Sequence, residues 1–263
     1  MQRKIPVLAT IATSLLMASC ARTTVSCLKN VALCVNTMAQ EREQPRVPAN
    51  TQQKTPFTDP AVKPLADAIA DGKTARIKAL APTTDLAARG QYNVTLMEWA
   101  IWNQKPASLE ALLEAGADPS LIGMDDETVV HMAAMVDPPE YLQVLLKHKV
   151  PVDYTRPTNG WTPLFVAVMY DQHIQRDLLI NAGADIKRRD HLGNTLLHIG
   201  AKDPDTVLKL LEAGVDPTLR NNNGDTFQLS FFRTPEKLLN AKGKAGRDQV
   251  RGWLERHNIA IEH

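Results

Sequence analysis

Cysteine is nearly missing from this 263-residue chain, since the three present, Cys20, Cys27 and Cys34, all fall close to the N-terminus. The rest of the chain therefore offers no thiol nucleophile, thiolate metal cluster or disulfide framework. Aromatic residues make up only 5% against 44% hydrophobic residues overall, which disfavours a sandwich or barrel of strands and suits short, closely packed helices. Charge of one sign is lacking too. Thirty Lys plus Arg stand against 29 Asp plus Glu, a net charge of +1, so no whole-chain field gathers phosphates and nucleic acid is not an expected partner. No Gly-x-Ser-x-Gly elbow, Walker loop, dinucleotide fingerprint or His-Glu-x-x-His occurs. No catalytic residue, cofactor or metal is therefore expected.

The N-terminus has the pattern of an export signal. Arg3 and Lys4 precede an uncharged apolar run from Ile5 to Ala18, and fourteen such residues are too few to span a bilayer comfortably. The run ends Leu16-Met17-Ala18-Ser19-Cys20, which resembles the lipobox of bacterial lipoproteins, with Met17 as a mild departure. That resemblance implies cleavage after residue 19 and lipidation of Cys20, with several acyl chains anchoring the protein to a membrane. It also implies a cell-envelope location facing the periplasm. Ala21, where an acidic residue would favour retention in the inner membrane, points to the outer membrane. An ordinary secretory signal with an incidental cysteine is the alternative. Cys27 and Cys34 could pair in an oxidising compartment only if they lie in a loop, because seven helical positions separate them by about 10.5 Å of rise. Two free thiols remain the other reading.

Residues 20–57 carry Pro45, Pro48 and Pro56 and show no sustained apolar periodicity, so they read as a flexible tether. About forty residues of coil would reach roughly 35 Å from the lipid. Loss of residues 1–19 removes Arg3 and Lys4 and leaves a mature net charge of −1, with 28 basic against 29 acidic residues.

Residues 58–263 repeat themselves. Thr95, Thr128, Thr162, Thr195 and Thr226 recur at intervals of 33, 34, 33 and 31, a period that signals a solenoid. Two residues before each threonine stands a turn-former tolerant of positive φ: Asn93, Asp126, Gly160, Gly193 and Gly224. Thr162 fits a helix N-cap, with Pro163 at the first helical position after it. A second apolar run follows with paired aliphatics, Leu112-Leu113, Leu145-Leu146, Leu179-Ile180 and Leu210-Leu211. Three of these runs close at Gly116-Ala117-Asp118, Gly183-Ala184-Asp185 and Gly214-Val215-Asp216, where glycine suits the position just past a helix end. The expected fold is all-α, with about five to six helix-turn-helix units and a C-terminal capping helix.

Thr162-Pro163-Leu164-Phe165, Thr195-Leu196-Leu197-His198 and Thr128-Val129-Val130-His131, followed by the Gly-Ala-Asp turns, resemble ankyrin repeats. The first unit, near Leu65 and Leu80, and the last, after Thr226, depart from the pattern, as terminal repeats do when one face meets water. The resemblance implies a structural role for His131 and His198, which would hydrogen-bond between neighbouring loops.

It also implies where a partner would touch: the hairpin tips before each threonine and the positions seven and eight residues after it. The latter are Trp102, Asn103, Met135, Val136, Met169, Tyr170, Lys202 and Asp203. The tips contribute Tyr92, Met124, Asp125, Glu127, Asn159, Trp161, Arg189, His191, Asn194 and Arg220. Placing Trp102, Trp161, Tyr92 and Tyr170 on one concave surface would make an interface hot spot. A shifted register would instead send them into the core. The tail from Lys237 to Arg256 is locally basic, which fits either a solvated cap or a patch facing a lipid or a toxin.

The expected function is non-catalytic protein binding by a lipid-anchored envelope protein that is a monomer when unbound. Its partner could be a toxin that it neutralises, such as a secreted phospholipase, or an envelope enzyme that it assists. An enzyme built on the repeat scaffold is the remaining alternative.

Overall fold

The computed structural model describes residues 55–262. The export signal, Cys20, the Cys27 and Cys34 alternatives and nearly all of the expected tether lie outside the described residues. Twelve α-helices occur among those described, arranged as six successive pairs. The pairs are α1 (Lys63–Asp71) with α2 (Thr74–Leu80), α3 (Leu96–Trp102) with α4 (Pro106–Glu114), and α5 (Val129–Met135) with α6 (Glu140–Lys147). They continue with α7 (Pro163–Met169) and α8 (His173–Asn181), α9 (Leu196–Gly200) and α10 (Pro204–Glu212), and α11 (Phe227–Phe231) and α12 (Ala241–Arg256). Among the described residues the extended pairing is a single isolated bridge, Arg89 to Thr95. The all-α solenoid expectation holds.

Two rows of helices follow from the pattern. The odd-numbered helices stack in sequence as an inner row, while α2, α4, α6 and α8 stack as an outer row and α12 lies on α10. Helices of five to seven residues cannot stand alone in water, so packing of their apolar faces holds them. Leu65, Leu96, Val129, Leu164, Leu196 and Phe227 fill the inner row, and Leu112, Leu145, Leu179 and Leu210 fill the seam with the outer row, all essentially inaccessible. Truncating one of these outer-seam leucines to alanine costs about 2–5 kcal/mol by lost transfer and cavity formation.

Glycine acts where the turn demands it. Gly116, Gly183 and Gly214 carry φ of 87°, 87° and 95° just past the ends of α4, α8 and α10. The third repeat puts Lys149 at that place, with φ of 56°.

Buried polar side chains lace the repeats together. Trp99 Nε1 donates to the Ala66 carbonyl at 3.0 Å and the Ser108 hydroxyl donates to Ile69 O at 2.9 Å. The Arg176 guanidinium donates to Thr206 Oγ1 at 2.9 Å. At the far end, residues 260–262 take the place a seventh loop would occupy. The Gln228 amide donates to Ala260 O at 3.1 Å and accepts from Glu262 N at 3.1 Å, while Thr226 Oγ1 donates to Glu262 at 2.7 Å.

A finger row and an aromatic cleft

Five loops project from the stack as fingers, each ending at one of the repeating threonines. Every tip turns through the left-handed region at the position the sequence marks: Asn93 at 62°, Asp126 at 59°, Gly160 at 76°, Gly193 at 74° and Gly224 at 85°. The first two fingers lack glycine there and place two consecutive residues at positive φ, Tyr92 with Asn93 and Asp125 with Asp126. Asn and Asp tolerate this region, whereas Tyr92 at 60° is a backbone costing about 1–2 kcal/mol.

The fingers are cross-braced. His191 N donates to Asn159 O and Asn222 N to Leu192 O, each at 2.9 Å, and Gln91 N donates to Pro56 O at 3.0 Å. All three donors stand four residues before their threonine. The Met124 N–H has that position in the second finger, yet it is drawn to the Glu98 carboxylate at 3.2 Å. The strap between the second and third fingers is instead Arg156, which donates to Asp125 O at 2.8 Å and pairs with Glu127 at 3.1 Å.

One slot, three residues after the threonine, ties helix to finger by hydrogen bonds in three of the repeats. His131 Nδ1 accepts from Thr128 N at 3.2 Å and from its hydroxyl at 2.9 Å, so the ring proton resides on Nε2 and is donated to Trp161 O at 3.1 Å. His198 repeats the arrangement from Thr195 to Asp225 O at 2.9 Å. Both are structural, as the repeat resemblance implied. Burial pushes the His131 imidazole down to about 4 and keeps it neutral. Glu98 occupies the same slot in the second repeat, accepting from Thr95 N at 2.8 Å, and burial pushes its carboxyl up to about 7. Phe165 fills the slot in the fourth repeat and stacks beneath Trp161 with ring centroids 6.3 Å apart. Thr162 keeps its N-cap position with Pro163 after it, but its buried hydroxyl has no partner.

Several expected contact residues are not available to a partner. Met135 and Val136 are 3% and 1% exposed and belong to the core. Where Gln104 and Asp171 end the equivalent helices in left-handed turns, the chain leaves α5 in extended form at Val136. Gln172 and Gln175 from the next repeat then clamp the Met135, Val136 and Asp137 carbonyls. Glu127 is likewise 8% exposed, and burial lifts its carboxyl to about 7 although Arg156 opposes the shift. Asp203, by contrast, is half-buried and also serves as the N-cap of α10, accepting from Thr206 N at 3.0 Å.

The remaining residues sit on or beside the fingers. Tyr92, Asp125, Arg189, His191, Lys202 and Arg220 are exposed, while Trp102, Asn103, Met124, Asn159, Trp161, Met169, Tyr170 and Asn194 are half-buried. Trp161 is tied down, its indole N–H donating to Asp190 at 3.2 Å. Arg189 braces Gly193 O and Arg220 O, and Arg220 pairs with Glu262 at 2.5 Å. Lys202 donates to Met169 O at 2.8 Å and pairs with Asp171 at 3.0 Å.

The structure gathers three of the expected residues, Tyr92, Trp102 and Met124, around a cleft of about 160 Å³ completed by Pro56, Gln91, Val94 and Trp99. Tyr92 is 82% exposed at its mouth. Trp102 leans on Trp99 at 6.5 Å, and its indole N–H is covered without an acceptor, a loss of about 1–3 kcal/mol. Sequence reasoning missed Glu98, Arg156 and the exposed fingertip Leu192. Laying the repeats in register would have shown Glu98 in the slot of His131 and His198.

Among the described residues no group of three or more His, Cys, Asp or Glu side chains is placed to hold a metal ion, and no helix is long and apolar enough to cross a membrane.

Residues 99–190 and 130–221 match the family model for ankyrin repeats in three copies. Protein PhlB of Serratia liquefaciens is 40% identical over 151 residues, which cover 57% of this chain and 66% of that protein. The chain also resembles the neurogenic locus notch homolog protein 1 of Mus musculus, at 29% identity over 134 residues, half of this chain and 5% of that one. SH3 and multiple ankyrin repeat domains protein 2 of Homo sapiens is 30% identical over 59% of this chain and 9% of its own length. The chain thus spans just under two thirds of the bacterial relative and a small part of the animal ones. A crystal structure of EF0377, an ankyrin repeat protein, superposes with a TM-score of 0.61 at 22% identity, covering 73% of this chain and 97% of that one.

Proposed function

We infer that this ankyrin-repeat solenoid is a protein-binding scaffold that works by presenting its finger row and inner helices to a partner, without catalysis of its own. The observation that carries the reading is the cleft of Tyr92, Trp102 and Met124, an apolar recess opening beside a fully projecting tyrosine. Exposed aromatic surface of this kind, framed by polar fingertips, is what protein interfaces use as anchors. The braced fingers add preorganisation, which lowers the ordering cost of binding.

The finer reading is a lipid-anchored protein of the bacterial envelope, held through Cys20 with residues 20–57 as the leash, facing the periplasm and most naturally on the outer membrane. Within that setting it acts as an immunity protein that captures an antibacterial toxin, such as a secreted phospholipase. The basis is the lipobox-like run ending at Cys20 and the half-chain likeness to a Serratia protein. The second reading, an accessory protein that supports an envelope enzyme, uses the same face.

The deciding experiment is affinity capture from envelope extracts of the producing cells with wild type, Tyr92→Ala and a Trp102→Ala/Trp161→Ala double variant, each checked for fold by circular dichroism. A captured protein lost with the variants supports the reading, and its identity separates toxin from enzyme. The same partner recovered equally by all three would overturn it.

A further inference from the structure

Between the first and second fingers the cross-bracing is broken in a particular way. Before the first finger, between the third and fourth and between the fourth and fifth, a backbone N–H four residues before the threonine reaches a carbonyl on the preceding segment: Gln91 to Pro56, His191 to Asn159, Asn222 to Leu192. By register Met124 N should reach Tyr92 O, since Tyr92 stands three residues before Thr95 as Asn159 and Leu192 stand before Thr162 and Thr195. Glu98 intercepts that N–H, and the two fingers are joined instead by the Asn93 side-chain amide on Gly123 O at 2.8 Å. Among the described residues Tyr92 O thus lacks its rung, beside a cleft whose Trp102 indole N–H also lacks an acceptor.

One acceptor and one donor left over on either side of an apolar recess match the complementary groups of a single extended peptide. Asp125 and Asp126 are exposed and directly follow the lining residue Met124, so the complementary chain bears positive charge next to its inserted side chain.

We propose that the cleft between the first two fingers, lined by Tyr92, Trp102 and Met124, seats an extended segment of the partner protein that inserts one large apolar side chain flanked by basic residues. Its backbone N–H meets Tyr92 O and its backbone carbonyl meets Trp102 Nε1. This deepens the protein-binding reading and rests on it.

The test uses the full chain, labelled with ¹⁵N at tryptophan, titrated with the blocked peptide acetyl-Ala-Lys-Phe-Lys-Ala-amide and followed by NMR at the indole N–H signals. The Trp102 signal moves downfield and saturates, while those of Trp99, Trp161 and Trp253 stay in place. Tyr92→Ala, at an exposed site, weakens binding about threefold or more, and Trp102→Phe weakens it about five- to tenfold by losing one hydrogen bond while keeping a ring. The Glu-flanked counterpart, acetyl-Ala-Glu-Phe-Glu-Ala-amide, binds at least about threefold more weakly. An unmoved Trp102 signal at millimolar peptide, equal binding of both peptides, or the same shift produced by dihexanoylphosphatidylcholine micelles overturns the assignment. If the peptide fails while the Trp161→Ala single variant still loses the captured partner, the cleft assignment falls and the protein-binding reading stands.

Discussion

His131 provides the sharpest test of how the fingers are held. Its side chain is completely buried and bridges the start of α5 to the third finger through Thr128 N and Trp161 O. Burial depresses its folded-state pKa to about 4, below the ordinary 6.5, so the unfolded chain takes up the proton first. The sign follows from linkage. The stability His131 contributes is fully present above about 6.5 and is lost as the pH falls toward 4, by about 2 kcal/mol between pH 7 and pH 5. His131→Gln removes that titration and, by disturbing two hydrogen bonds, costs about 1–3 kcal/mol at pH 7. Urea unfolding of both proteins at the two pH values isolates the effect, because Glu98, Glu127 and every other group titrate alike in each. The gap between wild type and variant should shrink, or reverse, by about 2 kcal/mol at pH 5. A gap that stays constant would show that the imidazole titrates freely and that the interlocking geometry is wrong.

Other outcomes follow from the same structure. Glu98 titrates in the opposite sense: its folded pKa is raised from 4.5 to about 7, so stability is lost as the pH rises between the two, and Glu98→Gln should gain about 3 kcal/mol over wild type at pH 8 and about 1 kcal/mol or less at pH 5, read by urea unfolding. Gly116→Ala, where a Cβ meets only open space but φ is 87°, should cost about 1 kcal/mol of unfolding free energy. Gly123 has a negative φ, yet a Cβ there would lie 2.0 Å from the Glu98 carboxylate, so a larger loss of about 2–3 kcal/mol is expected from Gly123→Ala, and equal losses would refute the packing. Cys20→Ser should move the protein from the membrane pellet to the soluble envelope fraction on fractionation and immunoblotting.

The threonine spacing made the helix pairs legible, because a capping residue, a turn-former and paired aliphatics each answer to a local physical demand. That is why Gly116, Gly183 and Gly214 stand where the sequence places them. The face of the solenoid was harder to read. Trp102 and Trp161 are half-buried, poised between core and surface, because a large ring at a fingertip can lie down on its neighbour, as Trp161 does on Phe165. Met135 and Val136 failed as surface residues because the exit from α5 is extended and lies under glutamines from the next repeat, a contact that spacing within one repeat cannot disclose. The broken rung at Tyr92 was equally hidden, since it follows from Glu98 replacing histidine in a slot whose partner lies 26 residues away.

The way residues 260–262 grip Gln228 and Thr226 bears on how such an array could lengthen over evolutionary time. An open terminal unit would offer its neighbour-seeking edge to any other molecule, inviting end-to-end polymers. Here that edge is stoppered from within, and Leu229 stays partly uncovered, at 42%. Gene duplication could therefore add units between the second and fifth threonines without disturbing the first or the last described helix pair, whereas units inserted directly after Thr226 would first have to evict the stopper.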